Sequence, residues 1–191
     1  MTLKEMKNKI YALLDIEGEE NVFTRSIDTV IDSAAKKVAV YTKSIKKSIT
    51  LTFLLENGKS VAALPHDFAA FCYVRSGRVY YERENFEIIS GKLRSEVVGA
   101  GNFELVYVAF PPEVNTETDE DTDMGFDDYV CDTVCYGAAM ELCTNVYPSD
   151  VQKYMRLATE YDERLANLLT AANDGTRVAN GFFASARGVF I

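Results

Sequence analysis

The chain changes its hydrophobic period twice, and this constrains its fold more than any other property. Apolar residues recur at three- and four-residue intervals to about Tyr41, alternate in short β-branched and aromatic runs from Lys47 to Pro112, and return to helical spacing at Phe126. A strand-rich segment between two helical ones reads as a module set into a helical body.

Thr2 is a candidate N-cap for a helix over Leu3 to Leu14, with Leu3, Met6, Ile10, Leu13 and Leu14 on one face and an end before Gly18. Thr24 is placed to cap a longer helix to about Tyr41, striped by Ile27, Val30, Ile31, Ala34, Ala35 and Val38. The two have lengths suited to a hairpin. A second pair is expected from Phe126 to Cys143 and from a Ser149 cap to Ala172, where Tyr154, Leu157, Tyr161, Leu165, Leu168 and Leu169 form a stripe. Asn173-Asp174-Gly175 reads as its stop, which leaves Gly175 to Ile191 as an extended tail.

In the middle, strands are expected at Ser48 to Leu55, Ser60 to Leu64, Ala69 to Arg75, Val79 to Arg83, Phe86 to Ser90, Lys92 to Val97 and Phe103 to Phe110. Asn57-Gly58, Ser76-Gly77, Glu84-Asn85 and Ser90-Gly91 supply turns. No connection is long enough for a crossover helix, so the pairing is antiparallel and the shape a small sandwich or curled sheet. The expected fold is α+β: a helical bundle of N-terminal and C-terminal helix pairs with an inserted antiparallel β module. Its divisions are residues 1–46, the module at 47–112, an acidic loop at 113–125, a helical hairpin at 126–174 and the tail at 175–191.

With 191 residues the chain can bury a core without staples. A formal net charge of -9 argues against a general nucleic-acid binder. Cys72, Cys131, Cys135 and Cys143 form no C-x-x-C pair, and Cys131 and Cys135 share a helix face with Ala138, Ala139 and Leu142, so they read as core residues. The absence of a signal-peptide pattern points to synthesis in a reducing cytoplasm.

Chemistry-bearing patterns are sparse. His66 is the single histidine and sits between Pro65 and Asp67 as a turn residue, so no nucleophile–base pair is indicated. Gly99-Ala100-Gly101 lacks the spacing of a nucleotide cradle. The chain therefore reads as a non-enzyme, without catalytic residues, metal or cofactor. Glu113 to Asp128 holds eight acids and no base, an array that serves solubility, docking or cation binding; Asp119 to Asp123 does not complete a calcium-loop pattern.

Lys36, Lys37, Lys43, Lys46 and Lys47 make the one basic concentration. It is either a solvated helix end or a strip facing an acidic partner. Opposite patches on one chain suit head-to-tail contacts in a ring, with Glu117, Asp119, Glu120, Asp121 and Asp123 of one copy meeting those lysines of the next. The tail places Phe182, Phe183, Val189, Phe190 and Ile191 on a glycine-punctuated segment with Arg187. It either folds back on its own domain or grips another chain.

Thr2 to Met6, the helix around Asp28 to Ala35, the opening Leu64-Pro65-His66-Asp67-Phe68, the closing Tyr107-Val108-Ala109-Phe110-Pro111-Pro112 before Thr116 to Asp123, and Ala138 to Leu142 with the last helix together resemble the head–tail connector (adaptor, head-completion) proteins of tailed bacteriophages. The resemblance implies a structural virion protein of the head–tail neck. It would form a ring, twelvefold in expectation, beneath the portal protein, extend the DNA channel without sequence-specific binding, and offer neighbouring tail or neck proteins a surface. Phe182, Phe183, Arg187, Val189, Phe190 and Ile191 would then bind the portal or a neighbouring chain. No membrane partner is expected. The alternative is a monomeric protein whose β module binds carbohydrate or peptide on Tyr73, Tyr80, Tyr81 and Tyr107.

Overall fold

In the computed structural model the backbone is described for residues 1–16 and 20–187, and side chains for residues 1–16 and 27–171. The fold is α+β, with four α-helices and a curled, antiparallel seven-stranded sheet. The chain divides into two compact units: residues 1–43 with 112–191, which is helical, and residues 44–111, which holds the sheet.

In the helical unit, α1 spans Leu3–Leu14. Thr2 Oγ1 accepts from the Glu5 N–H at 3.3 Å while Glu5 Oε2 accepts from the Thr2 N–H at 2.8 Å, a reciprocal cap that satisfies two donors at the helix start. Leu3, Met6, Ile10 and Leu14 are fully buried at the spacing read from the sequence. Gly18 lies outside the described residues. Helix α2 spans Glu20–Thr42, so Thr24 falls inside it rather than at its cap.

Helices α3 (Asp128–Val146) and α4 (Val151–Arg187) follow. Asp127 caps α3 by accepting from the Val130 N–H at 2.9 Å. Asp150, not Ser149, caps α4, accepting from the Lys153 N–H at 2.9 Å. The carboxylate both accepts the hydrogen bond and complements the positive end of the helix, which a hydroxyl does not.

The packing of the helical unit centres on α3. Helices α1, α2 and α4 each pack on α3. Buried residues run round α3, from Val130 and Cys131 through Thr133, Val134 and Gly137 to Leu142 and Cys143, as a helix covered on several sides requires. At Gly137 a Cβ would lie 2.8 Å from Cε2 of the Tyr161 ring of α4, so hydrogen is what the contact admits. Helix α4 continues to Arg187, through the expected stop at Asn173-Asp174-Gly175 and most of the expected extended tail. Poor helix formers there cost about 1 kcal/mol each at most relative to alanine, so propensity alone does not end the helix. At 37 residues against 19 for α3, α4 is roughly twice its neighbour's length at about 1.5 Å per residue.

In the second unit the strands are β1 (Lys46–Glu56), β2 (Lys59–Ala63), β3 (Phe68–Ser76), β4 (Val79–Tyr81), β5 (Glu87–Ile89), β6 (Lys92–Ser95) and β7 (Gly101–Ala109), in the order β4-β3-β7-β1-β2-β6-β5. Asn57 and Gly58 turn β1 into β2 with φ of 52° and 81°, the left-handed pair that a two-residue hairpin demands. Strand β1 serves both halves of the sheet: Lys46 to Phe53 pair with β7, and Leu54 to Glu56 with β2. Leu51, Phe53, Ala62, Val74, Phe86, Leu93, Leu105 and Tyr107 form one apolar interior, to which both halves contribute. A single 3-10 turn, Arg83–Asn85, carries the chain from one sheet edge, β4, to the other, β5. Phe86 then sets its ring 5.3 Å from Phe71 and 6.2 Å from Phe53, which holds the curl closed.

Candidate functional site

The acidic loop is docked against the start of α1. The first N–H groups of a helix have no partner inside it. Here Leu3 N–H donates to the Thr122 carbonyl at 3.0 Å and Lys4 N–H to the Glu120 carbonyl at 2.9 Å, while Thr2 and Asp123 form an isolated β-bridge. Val114, Met124 and Phe126 are buried beneath the loop. The loop's backbone is tied to the helix start by these bonds, while the carboxylates of Glu117, Asp119, Glu120, Asp121 and Asp123 stand on exposed residues.

Glu120 also reaches Lys7, whose Nζ lies 3.0 Å from its Oε1 and 2.8 Å from Asp28 Oδ1. Lys7 and Asp28 are 7% and 2% exposed, so this is a buried ion pair with a third, exposed member. Burial pulls the Lys7 ammonium pKa down, but its hydrogen bonds to the Asp28 and Glu120 carboxylates outweigh that and hold it above its ordinary value.

The basic concentration is divided between the units. Lys36 pairs with Asp32 at 2.7 Å on the same helix, and Lys37 pairs with Glu141 of α3. Lys43 is exposed, with a left-handed φ of 51° just past α2. Lys46 and Lys47 lie on β1, where Lys47 Nζ sits 2.6 Å from Asp67 Oδ2. Lys36, Lys37 and Lys47 thus have carboxylate partners within their own unit.

Asp67 is the residue that sequence reasoning undervalued by attending to His66. Besides Lys47 it accepts from the Tyr107 hydroxyl at 2.9 Å, and its carbonyl accepts from the Phe110 N–H at 2.7 Å. The motif that opens the β unit is therefore clasped to the one that closes it. Burial pushes the Asp67 carboxyl up, but hydrogen bonds from Lys47 and Tyr107 outweigh it and hold the group below its usual range. Burial, with the hydrogen bond to Asp67, pushes the Tyr107 phenol up to about 12. A Lys one residue into a strand facing an Asp-Phe turn and a Tyr four residues before Pro111-Pro112 was the available signal.

The tyrosines separate by strand parity. Tyr107 is buried and stacked on Phe68 at 5.9 Å, and Tyr81 packs edge-on to Phe103 at 6.1 Å. Tyr73 and Tyr80 meet edge to face at 5.4 Å, Tyr80 being exposed. Cys131, Cys135 and Cys143 are buried free thiols and Cys72 is half-buried; burial pushes Cys135 up to about 12. Among the described residues no cluster of His, Cys, Asp or Glu is arranged to hold a metal ion, and no helix is long and apolar enough to cross a membrane. Of the residues expected to grip a partner, Phe182, Phe183 and Arg187 lie on the last turns of α4, with their side chains outside the described set. Val189, Phe190 and Ile191 lie outside the described residues altogether. No protein-family model matches the chain, and no curated protein matches it.

Proposed function

We propose that this chain is a structural virion protein, a head–tail adaptor that assembles as a ring beneath a portal, lengthens the DNA channel and presents a surface for tail attachment. The observation that supports this most is the interrupted helical unit, in which both ends of the chain build one body around α3 while residues 44–111 leave and return as a separate unit. That is the element order of the connector family named above, with helix pairs at either end and a β insertion between. The helical unit carries exposed carboxylates at 117–123 and the exposed Lys43, charges of both signs that head-to-tail contact between copies can use. In this reading DNA passes an acidic wall without sequence-specific contact, and the C-terminal residues from Phe182 to Ile191 grip the portal.

The test is to mix the full chain with a purified portal and classify the particles by electron microscopy. A ring stacked on the portal is expected, and a chain that stays single at every ratio would overturn the proposal. Ending the chain at Gly175 should abolish portal binding; a truncation that still binds removes the gripping role and leaves the ring. One observation favours a second reading, a monomer whose β unit binds a carbohydrate or peptide: the Tyr73–Tyr80 pair adjoins Arg75, which Glu104 holds at 2.6 Å. Light scattering together with a glycan-binding screen separates the two.

A further inference from the structure

The outer face of one half of the sheet, β4-β3-β7-β1, carries an ordered row of polar and aromatic side chains. Strand register sets Tyr80 beside Arg75, Arg75 beside Glu104 and Glu104 beside Thr50, so one row crosses all four strands. At about 4.8 Å per strand it is roughly 14 Å long. Ser48 and Tyr73 stand two residues along their strands on one side of the row, and Thr52 and Asn102 on the other, all on the same face.

The row is held in place. Arg75 Nε donates to Glu104 Oε2 at 2.6 Å, and Tyr80 and Ser48 stand within hydrogen-bonding reach of Arg75 and Glu104 respectively. Tyr80 meets Tyr73 edge to face at 5.4 Å, and the Thr52 hydroxyl donates to Asn102 Oδ1 at 2.8 Å. Yet Tyr80 is 49% exposed, and the Arg75 and Glu104 side chains are 39% and 30% exposed, so these fixed groups meet solvent. Beside them lies a cavity of about 400 Å³ whose lining includes Thr50, Arg75, Asn102, Phe103 and Glu104.

The chemistry of this face selects a ligand. Only Arg75 and Glu104 are charged among the lining residues, and they cancel, so neither a polyanion nor a polycation is favoured. At the row, β3 and β7 are paired on both sides, so their backbone groups are engaged within the sheet and recognition falls to side chains. A guanidinium has five N–H groups, and Glu104 and Tyr80 do not use them all. A pyranose matches this set. Its flat C–H face packs on an aromatic ring, and its neighbouring hydroxyls donate to a carboxylate and accept from a guanidinium. Side chains already fixed lose little freedom on binding.

We infer that the β4-β3-β7-β1 face binds a neutral oligosaccharide, laid along the row from Tyr80 to Thr50 with hydroxyls on Arg75 and Glu104 and a sugar ring against Tyr80. This gives a place and a ligand class to the carbohydrate reading above and rests on it. It requires neither a monomer nor a ring, because the site lies wholly within the β unit.

An array of neutral, sulfated and amino oligosaccharides probed with the labelled full chain tests the ligand class, and titration calorimetry with the neutral trisaccharide bound best tests the place. Tyr80→Ala and Arg75→Met should each weaken binding about tenfold, with denaturation midpoints close to the parent's because both side chains are partly exposed. If either variant unfolds, Tyr80→Leu, which keeps apolar volume but no ring, must show the same loss. An array on which no neutral oligosaccharide binds overturns both this inference and the carbohydrate reading. Neutral binding that survives Tyr80→Ala and Arg75→Met overturns the place and leaves that reading standing, and preference for sulfated or amino sugars overturns the ligand class.

Discussion

The two units fill their interiors differently. The helical unit buries aliphatic side chains, among them Leu3, Met6, Ile10, Leu14, Ile27 and Ile31, and lines α2 and α3 with small ones, Ala34, Ala35 and Ala39 with Cys131, Cys135, Ala138 and Ala139, while Gly137 lies under the Tyr161 ring. The β unit relies on rings: Phe53 sits at 5.4 Å from Phe103 and 6.2 Å from Phe86, with Phe71, Phe68 and Tyr107 around them. The difference teaches where each unit is vulnerable. A contact lined with small groups is harmed by added volume, and an interior built on large rings is harmed by lost volume.

The sharpest attack on this contrast is truncation in the β unit. Phe53→Ala should cost about 4 kcal/mol, seen as a lower denaturation midpoint; a cost below about 1 kcal/mol would mean the rings are not the keystone. In the helical unit, Lys7→Met leaves Asp28 as a buried unpaired charge and should cost about 3 kcal/mol. Adding Asp28→Leu should recover most of that in a double-mutant cycle, and additive losses would deny the coupling. Gly137→Leu overfills the helical interior and should cost about 2 kcal/mol, with partial rescue by Tyr161→Ala; the same truncation alone should be harmful, so rescue is diagnostic.

Tyr107→Phe tests the clasp and should be milder, about 1 kcal/mol at neutral pH. Its pH dependence has a definite sign. The folded phenol has a raised pKa, so its contribution is complete below pH of about 10 and lost as the pH climbs towards 12. Asp67 is depressed, so its contribution is present above pH of about 4 and lost as the pH falls through its folded value. Chemical denaturation across pH should show the alkaline loss flatten in Tyr107→Phe and the acid loss flatten in Asp67→Asn. Unchanged profiles would mean the clasp carries no stability.

Legibility in the sequence followed the same division. Every strand of the β unit overlaps a run that alternation marked, because one sheet face is apolar and the period of two survives in the residues, as with Leu51 and Phe53 buried between exposed Thr50 and Thr52. Thr2 was legible as a cap because its Glu5 partner lies three residues on. The central place of α3 was not, since a helix buried on several sides has no polar face to fix its orientation and its Ala, Cys and Gly carry a weak signal. Nor was the docking of the acidic loop, where backbone carbonyls, invisible in residue identity, make the contacts. The continuation of α4 through Gly175 was obscured for a related reason: local propensity marked a stop, and the helix does not obey it.

The clasp at Asp67 has a consequence for inheritance. Because the Ala109 N–H donates to the Ile45 carbonyl at 2.9 Å, the points where the β unit is left and rejoined are neighbours. A short linker in place of residues 44–111 would therefore bring the same two ends together at little entropic cost, since closure grows only slowly with length. Lineages could exchange this cassette for another without rebuilding the scaffold that carries it, and a laboratory graft of a foreign hairpin at the same seam should be tolerated for the same reason.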